Sequence, residues 1–197
     1  MKAIGLTGSI ATGKSTALDA FAALGIPVFS SDEAVHQLYA GGPAVERIEA
    51  LFPGTTRDGA VDRKELAARL VAHPDQLPAL EGAIHPLVRE RIAAFLADVR
   101  RSGAVFAVVD IPLLFETGFD YGLDAVVVTA VDEKTQRRRA LSRPGMTVEK
   151  LDTILARQMP QAEKIRRADY VIDTSGAIAD SERQVREIVA RLGAGTQ

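Results

Sequence analysis

The stretch Gly8-Ser9-Ile10-Ala11-Thr12-Gly13-Lys14-Ser15 meets the pattern G-x-x-x-x-G-K-[ST] at every constrained position, and Thr16 continues it. The chemistry this spacing serves is the holding of phosphate. Glycines at both ends let the backbone curl so that the amides of Ala11, Thr12, Gly13, Lys14, Ser15 and Thr16 turn onto an anion at a helix N-terminus. Lys14 would reach the β and γ phosphates. The Ser15 hydroxyl would serve Mg²⁺, which prefers hard oxygen ligands and takes most of the rest from substrate phosphates and water. A chance glycine-rich turn would share the spacing, so the context decides: a strand must come before and a helix after.

Four other groups of residues could do chemistry beside such a loop. Asp32 stands just past a second short strand, on the carboxyl edge where ligands bind in open α/β sheets. It could accept the proton of an acceptor hydroxyl during phosphoryl transfer. Ser30 with Glu33 three residues later also resembles a capping box, in which Asp32 simply favours a helix start, and the sequence leaves both readings open. Asp110 ends an apolar strand, where an acid can help hold Mg²⁺ through water, although Pro112 also suits an ordinary strand-end turn. Gln136, Arg139 and Arg143 share one helix face, able to clamp phosphate oxygens or simply to stay solvated, while Arg137 and Arg138 point elsewhere. His85 precedes Pro86 with Arg89 one turn on, a mixed face that could meet an anionic substrate or merely mark a helix break.

The elements that would position these residues are legible. Lys2 to Leu6 is a short, largely apolar strand, and Ser15 to Leu24 is too apolar for a surface helix, with Gly25 closing it. Ile26 to Phe29 reads as the second strand, followed by a helix to about Tyr39 and another that Pro43 can open. Asp62 begins a further helix, and a helical stretch from about Asp75 to Arg101 is expected to break or bend near His85-Pro86. No strand is expected between about 45 and 101, which reads as a helical insertion. Ala104 to Val109 and Ala125 to Ala130 are continuous apolar runs of the kind found in parallel strands covered on both faces. Helices from Asp132 to Arg143 and Thr147 to Gln158, a short helical segment, a last strand Tyr170 to Ile172 and a terminal helix Ile178 to Leu192 complete the chain, with Gly193 onward expected to fray. The fold class is therefore α/β: a doubly wound parallel sheet of about five strands around the phosphate loop, with a helical substrate-binding insertion and a small helical lid.

Composition excludes several classes. The 197 residues can bury one good core, and the formal net charge of -2 gives no broad basic face for nucleic acid. There is no cysteine, so disulfides, thiol nucleophiles and cysteine metal sites are absent. His36, His73 and His85 lack ligand spacing. No apolar run approaches the ~20 residues of a membrane span, and Gly5, Thr7 and Gly8 interrupt any signal-peptide core. The expectation is a cytoplasmic protein without a membrane or nucleic-acid partner and with no obligate protein partner evident.

Taken together, the chain resembles the dephospho-CoA kinase family. The resemblance rests on Ile4-Gly5-Leu6-Thr7-Gly8 and its loop, the Asp32 segment with His36, Ile84-His85-Pro86-Leu87-Val88, and above all Asp110-Ile111-Pro112-Leu113-Leu114-Phe115-Glu116. It implies transfer of the ATP γ-phosphate to the ribose 3′-hydroxyl of dephospho-CoA, with Mg²⁺, as the last step of coenzyme A synthesis. It further implies that Asp32 is the general base, that Lys14 and Arg139 are catalytic, and that Arg139 and Arg143 close a lid on ATP. Asp32, His85 and Arg89 would meet the acceptor, and Ser15 and Asp110 the metal. The implied partition is a core of 1–40, 102–131 and 168–197, a CoA-side insertion of about 41–101 and a lid of about 132–167. Asp169 to Asp173 resembles the block near the adenine pocket, but Thr174 stands where the family commonly has Asn. The rivals are another small-acceptor kinase, for a nucleoside monophosphate, shikimate or a sugar acid, and a nucleotide-dependent switch. The D-I-P-L-L-F-E block argues against the former, and the lack of an N-K-x-D signature against a guanine-nucleotide switch.

Overall fold

A computed structural model describes residues 1–194, so the expected fraying from Gly193 onward falls mostly outside the described residues; Gly193 and Ala194 themselves lie in the terminal helix. The chain divides into two compact units, one of residues 1–29 and 96–197, the other of 30–95.

The first unit is built on a five-stranded sheet. Its strands are β1 (Lys2–Gly8), β2 (Val28–Ser30), β5 (Phe106–Asp110), β6 (Ala125–Ala130) and β7 (Tyr170–Asp173), in the spatial order β2-β5-β1-β6-β7. β1 pairs in parallel with both β5 and β6, and β6 with β7. The near-continuous burial of β1, β5 and β6 explains their unbroken apolar sequences: both faces are covered. One cover is α1 (Lys14–Ala23), which buries Ala17, Leu18, Ala20 and Phe21 against Ile4, Leu6, Val108 and Val127. Val185, Ile188 and Leu192 of α10 (Ile178–Ala194) join the same cluster. Phe21 is wholly removed from solvent, a burial that contributes on the order of 2–3 kcal/mol. Between the strands lie α6 (Leu114–Thr117), α7 (Glu133–Leu141), α8 (Val148–Arg157) and α9 (Gln161–Arg167).

The second unit holds α2 (Ser31–Tyr39), α3 (Pro43–Leu51), α4 (Arg63–Ala72) and most of α5 (Leu77–Arg101). Pro43 sits in the first turn of α3, where its missing N–H costs nothing. Asp62 caps α4 through the amides of Lys64 and Glu65. Two expectations for this region need correction. A small antiparallel hairpin, β3 (Thr56–Arg57) with β4 (Ala60–Val61), stands where no strand was expected. Each arm is too short to show alternation, and Asp58 and Gly59 supply the positive φ that its tight turn requires. Of the break or bend expected at His85-Pro86, the break does not occur: one helix runs through, with Pro86 inside it. Pro86 and Gly82, whose carbonyl loses its donor, are both exposed, so water can take that carbonyl. Buried Ile84, Leu87, Val88 and Ile92 keep the helix in place through the break in its ladder. Among the described residues, no helix is long and apolar enough to cross a membrane.

Candidate active site

The phosphate loop leaves the carboxyl end of β1, in the middle of the sheet. A Cβ at Gly8 would lie 2.6 Å from the Thr12 hydroxyl and 3.0 Å from the Thr129 carbonyl, so only glycine lets the chain turn here. Thr12 then closes the loop: its hydroxyl lies 2.8 Å from the Ser9 carbonyl and 2.8 Å from the Thr129 hydroxyl on β6. Ala11 has φ +60, a left-handed conformation that costs a non-glycine residue roughly 1–2 kcal/mol. Gly13, at φ +80, leads into α1, which has no side-chain cap and no acid in its first turn. By contrast Ser30, Asp132 and Thr147 cap α2, α7 and α8 with their side chains. The orphan amides and positive end of α1 are thus left for an anion from outside the chain.

Lys14 meets Asp110 directly, Nζ to Oδ1 at 2.5 Å. The sheet register explains the encounter, because Asp110 at the end of β5 lies beside Leu6 of β1, two residues before the loop. Asp110 is almost fully buried and Ser15 is exposed on the first turn of α1. As hard-oxygen donors these two side chains fit a divalent cation that draws its other ligands from phosphate and water. No cluster of three or more acidic, histidine or cysteine side chains able to hold a metal occurs among the described residues.

Beside the loop opens a cleft of about 290 Å³ lined by Ala11, Gly13, Arg139, Arg143, Thr174 and Ile178, among others. Arg139 is anchored at its rim, with Nη1 donating to the Thr174 hydroxyl at 3.1 Å and Nη2 to the Thr174 carbonyl at 2.8 Å. Thr174 is buried, and its hydroxyl donates toward the Thr12 carbonyl, 2.9 Å away, with the Ala130 carbonyl at 3.2 Å. Its side chain also packs against Gly13 at 3.1–3.2 Å from where a Cβ would stand. Thr174 therefore braces both the loop and the arginine. Arg143 is exposed on the same cleft. Gln136, read from its spacing as part of the arginine face, is instead buried and donates to the Ile10 carbonyl at 2.8 Å. Arg137 pairs with Asp152 at 2.8 Å.

Lys164, and the partners of Glu116, escaped the sequence reading. Lys164 is fully buried and meets Glu116 Oε1 at 2.8 Å, as an ion contact rather than an aligned hydrogen bond. The Met159 amide donates to the same oxygen at 2.8 Å. Glu116 closes the D-I-P-L-L-F-E block, but its partners lie more than forty residues away, and nothing local in the sequence points to them.

In the helical unit Asp32 is exposed on the first turn of α2, and Ser30 is the cap, accepting from the Glu33 amide at 3.2 Å. Arg63 donates to Nδ1 of the exposed His36 at 3.2 Å. His85 and Arg89 stand one turn apart on α5, both partly buried. Burial, seconded by the Arg89 charge and opposed by Glu81, pushes the His85 pKa below its ordinary value, so the imidazole is neutral at pH 7.

Comparison with known proteins agrees with this architecture. The dephospho-CoA kinase family profile matches residues 2–180. A dephospho-CoA kinase of Brucella melitensis is 51% identical over 192 residues, 98% of this chain and 96% of that protein. The solved dephospho-CoA kinase of Campylobacter jejuni superposes with a TM-score of 0.73 at 27% identity, covering all of both chains. A shikimate kinase from Bacteroides thetaiotaomicron (TM-score 0.54, 17% identity, 98% of both chains) shares the fold alone. With a family match over nearly its whole length, a relative at half identity and a parallel sheet carrying a phosphate loop, the chain belongs to the dephospho-CoA kinase family.

Proposed function

We propose that this kinase moves the γ-phosphoryl group of ATP to the ribose 3′-hydroxyl of dephospho-CoA, releasing coenzyme A and ADP. The observation that carries the reading is the pairing of the uncapped α1 start with Lys14 beside Asp110, within a chain whose family match spans residues 2–180. The amides of the phosphate loop and Lys14 bind the triphosphate. In their present arrangement Lys14 and Asp110 neutralise each other, so neither is an unpaired charge before substrate arrives. With ATP in place Lys14 turns to the phosphates.

An ATP-dependent kinase of this family works with a divalent metal, and Mg²⁺ suits the donors present, with Ser15 and, through water, Asp110 as the side chains that would hold it. When bound, Mg²⁺ neutralises charge on the β and γ phosphates. Asp32 accepts the 3′-hydroxyl proton as the oxygen attacks phosphorus, and the bond from phosphorus to the β,γ-bridging oxygen breaks with ADP as leaving group. Arg139 and Arg143 stabilise the charge spread over the transferring group, and the lid, about 132–167, keeps water from competing for it. His85 and Arg89, in the CoA-side insertion of about 41–101, meet the anionic acceptor. A cytoplasmic location accompanies this reading, since ATP is its donor.

The test is a coupled ADP-release assay with dephospho-CoA, shikimate, gluconate and nucleoside monophosphates as acceptors, run on the parent and on Asp32→Asn. The expected result is preference for dephospho-CoA, with turnover in Asp32→Asn reduced about 10²–10⁴-fold and KM for ATP nearly unchanged. Equal rates on another acceptor would overturn the substrate assignment. Turnover near the parent's in Asp32→Asn would leave Asp32 as a helix-start residue only.

A further inference from the structure

Ile10, in the middle of the phosphate loop, is gripped on both sides by glutamines distant in sequence, one at the peptide group before it and one at the peptide group after it. Its N–H donates to Gln158 Oε1 at 2.9 Å, and its carbonyl accepts from Gln136 Nε2 at 2.8 Å. Gln136 lies on α7, and Gln158 is the residue that ends α8, where the backbone turns extended. Around Ile10 a small apolar cluster forms: Ala11, Ala140 and Leu151 are buried, with Ile10, Met146 and Leu155 packed against them. The residue after Ile10 is Ala11, held at φ +60 in a conformation alanine does not choose by itself. The residue after Gln158 is Met159, whose amide is bound by Glu116 from the segment following Asp110. One dipeptide, Gln158-Met159, thus ties the loop that binds phosphate to the segment that carries the strand-end acid.

We propose that Gln158 and Gln136 are positioning residues of the phosphate loop. An acceptor at the Ile10 N–H and a donor at the Ile10 carbonyl fix the two peptide planes that meet at the Ile10 Cα, Ser9–Ile10 and Ile10–Ala11. The first plane's orientation sets ψ of Ser9 and φ of Ile10, the second's sets ψ of Ile10 and φ of Ala11, and together they aim the amides that follow. Neither glutamine touches the substrate; both act through Ile10. The inference rests on the reading of this loop as the ATP site, and it predicts that loss of either glutamine loosens ATP binding without affecting the acceptor side.

The experiment uses the full chain with Gln158→Met, Gln136→Met and Gln158→Glu. Amide hydrogen exchange at Ile10 and Ala11 is followed by NMR, ATP affinity by calorimetry, steady-state constants with both substrates by the coupled assay, and thermal unfolding by calorimetry. In Gln158→Met the Ile10 amide exchanges at least tenfold faster than in the parent. KM and Kd for ATP rise roughly five- to tenfold, the size expected for losing one neutral hydrogen bond, and KM for dephospho-CoA stays within twofold. Gln158→Glu still offers an oxygen and keeps the Ile10 amide protected. Should the buried Gln136→Met fail to fold, the partly exposed Gln158 variants decide alone. A fall in unfolding temperature with ATP constants within twofold of the parent's would overturn the proposal and make the glutamines structural glue. An unprotected Ile10 amide in Gln158→Glu would overturn it as well. A parent chain that binds no ATP would instead sink the functional reading on which the proposal stands.

Discussion

Replacement of Lys164 by methionine is a sharp test of the physical account, because its outcome follows from burial and charge without reference to substrate. Lys164 has no solvent exposure, and the Glu116 side chain is only 14% exposed. Removing the ammonium leaves the carboxylate with one good donor, the Met159 amide, while Oε2 is buried with no hydrogen-bond partner among the described residues. Breaking a buried pair from one side costs about 3–5 kcal/mol. For a chain of this size each kcal/mol lowers the midpoint by about 2–4 °C, so Lys164→Met should lower Tm by roughly 6–20 °C. Adding Glu116→Gln removes the stranded charge but keeps an oxygen for the Met159 amide, so the double variant should recover at least half of that loss. Differential scanning calorimetry of the four members of the cycle reads the coupling directly. A drop under about 2 °C for Lys164→Met, or a double variant no more stable than the single, would refute the claim that this pair fastens α9 to the segment after β5.

Lys14→Ala should raise KM for ATP and lower turnover together in the coupled assay, and because it strands buried Asp110, it should also lower Tm by some degrees. Thr174→Val keeps the shape of the side chain but removes the hydroxyl shared by Arg139 and the Thr12 carbonyl. It should cost about 1–3 kcal/mol in denaturant unfolding and weaken ATP use, whereas Thr174→Ser should retain both. His85 has its pKa lowered in the folded state, so the unfolded chain takes up this proton first as pH falls. Its contribution is therefore constant above about pH 6.5 and is lost as pH drops from there toward the depressed value. Urea unfolding between pH 8 and pH 5 should show a smaller acid-side loss in His85→Gln than in the parent.

Much of the molecule could be read locally. The phosphate loop, the apolar strands around it, Pro43 at a helix start, and the caps Asp62, Asp132 and Thr147 all act over a few residues, so sequence spacing carries them. Locality could not choose between a break and a bend at Pro86, where a helix face of buried side chains kept the segment helical. It was blind to the β3–β4 hairpin, whose arms are two residues each.

The order of residues alone determined that a phosphate-holding turn sits between a buried strand and a buried helix, because that motif is built from neighbours along the chain. Only the folded arrangement decided which distant side chains brace it. Gln158 reaches Ile10 across 148 residues of sequence, Thr174 reaches Thr12 across 162, and Lys14 reaches Asp110 across 96. Hydrogen bonds and ion pairs depend on ångström-scale approach and on exclusion of water, and across such separations both are set by how strands align in the sheet and how helices pack.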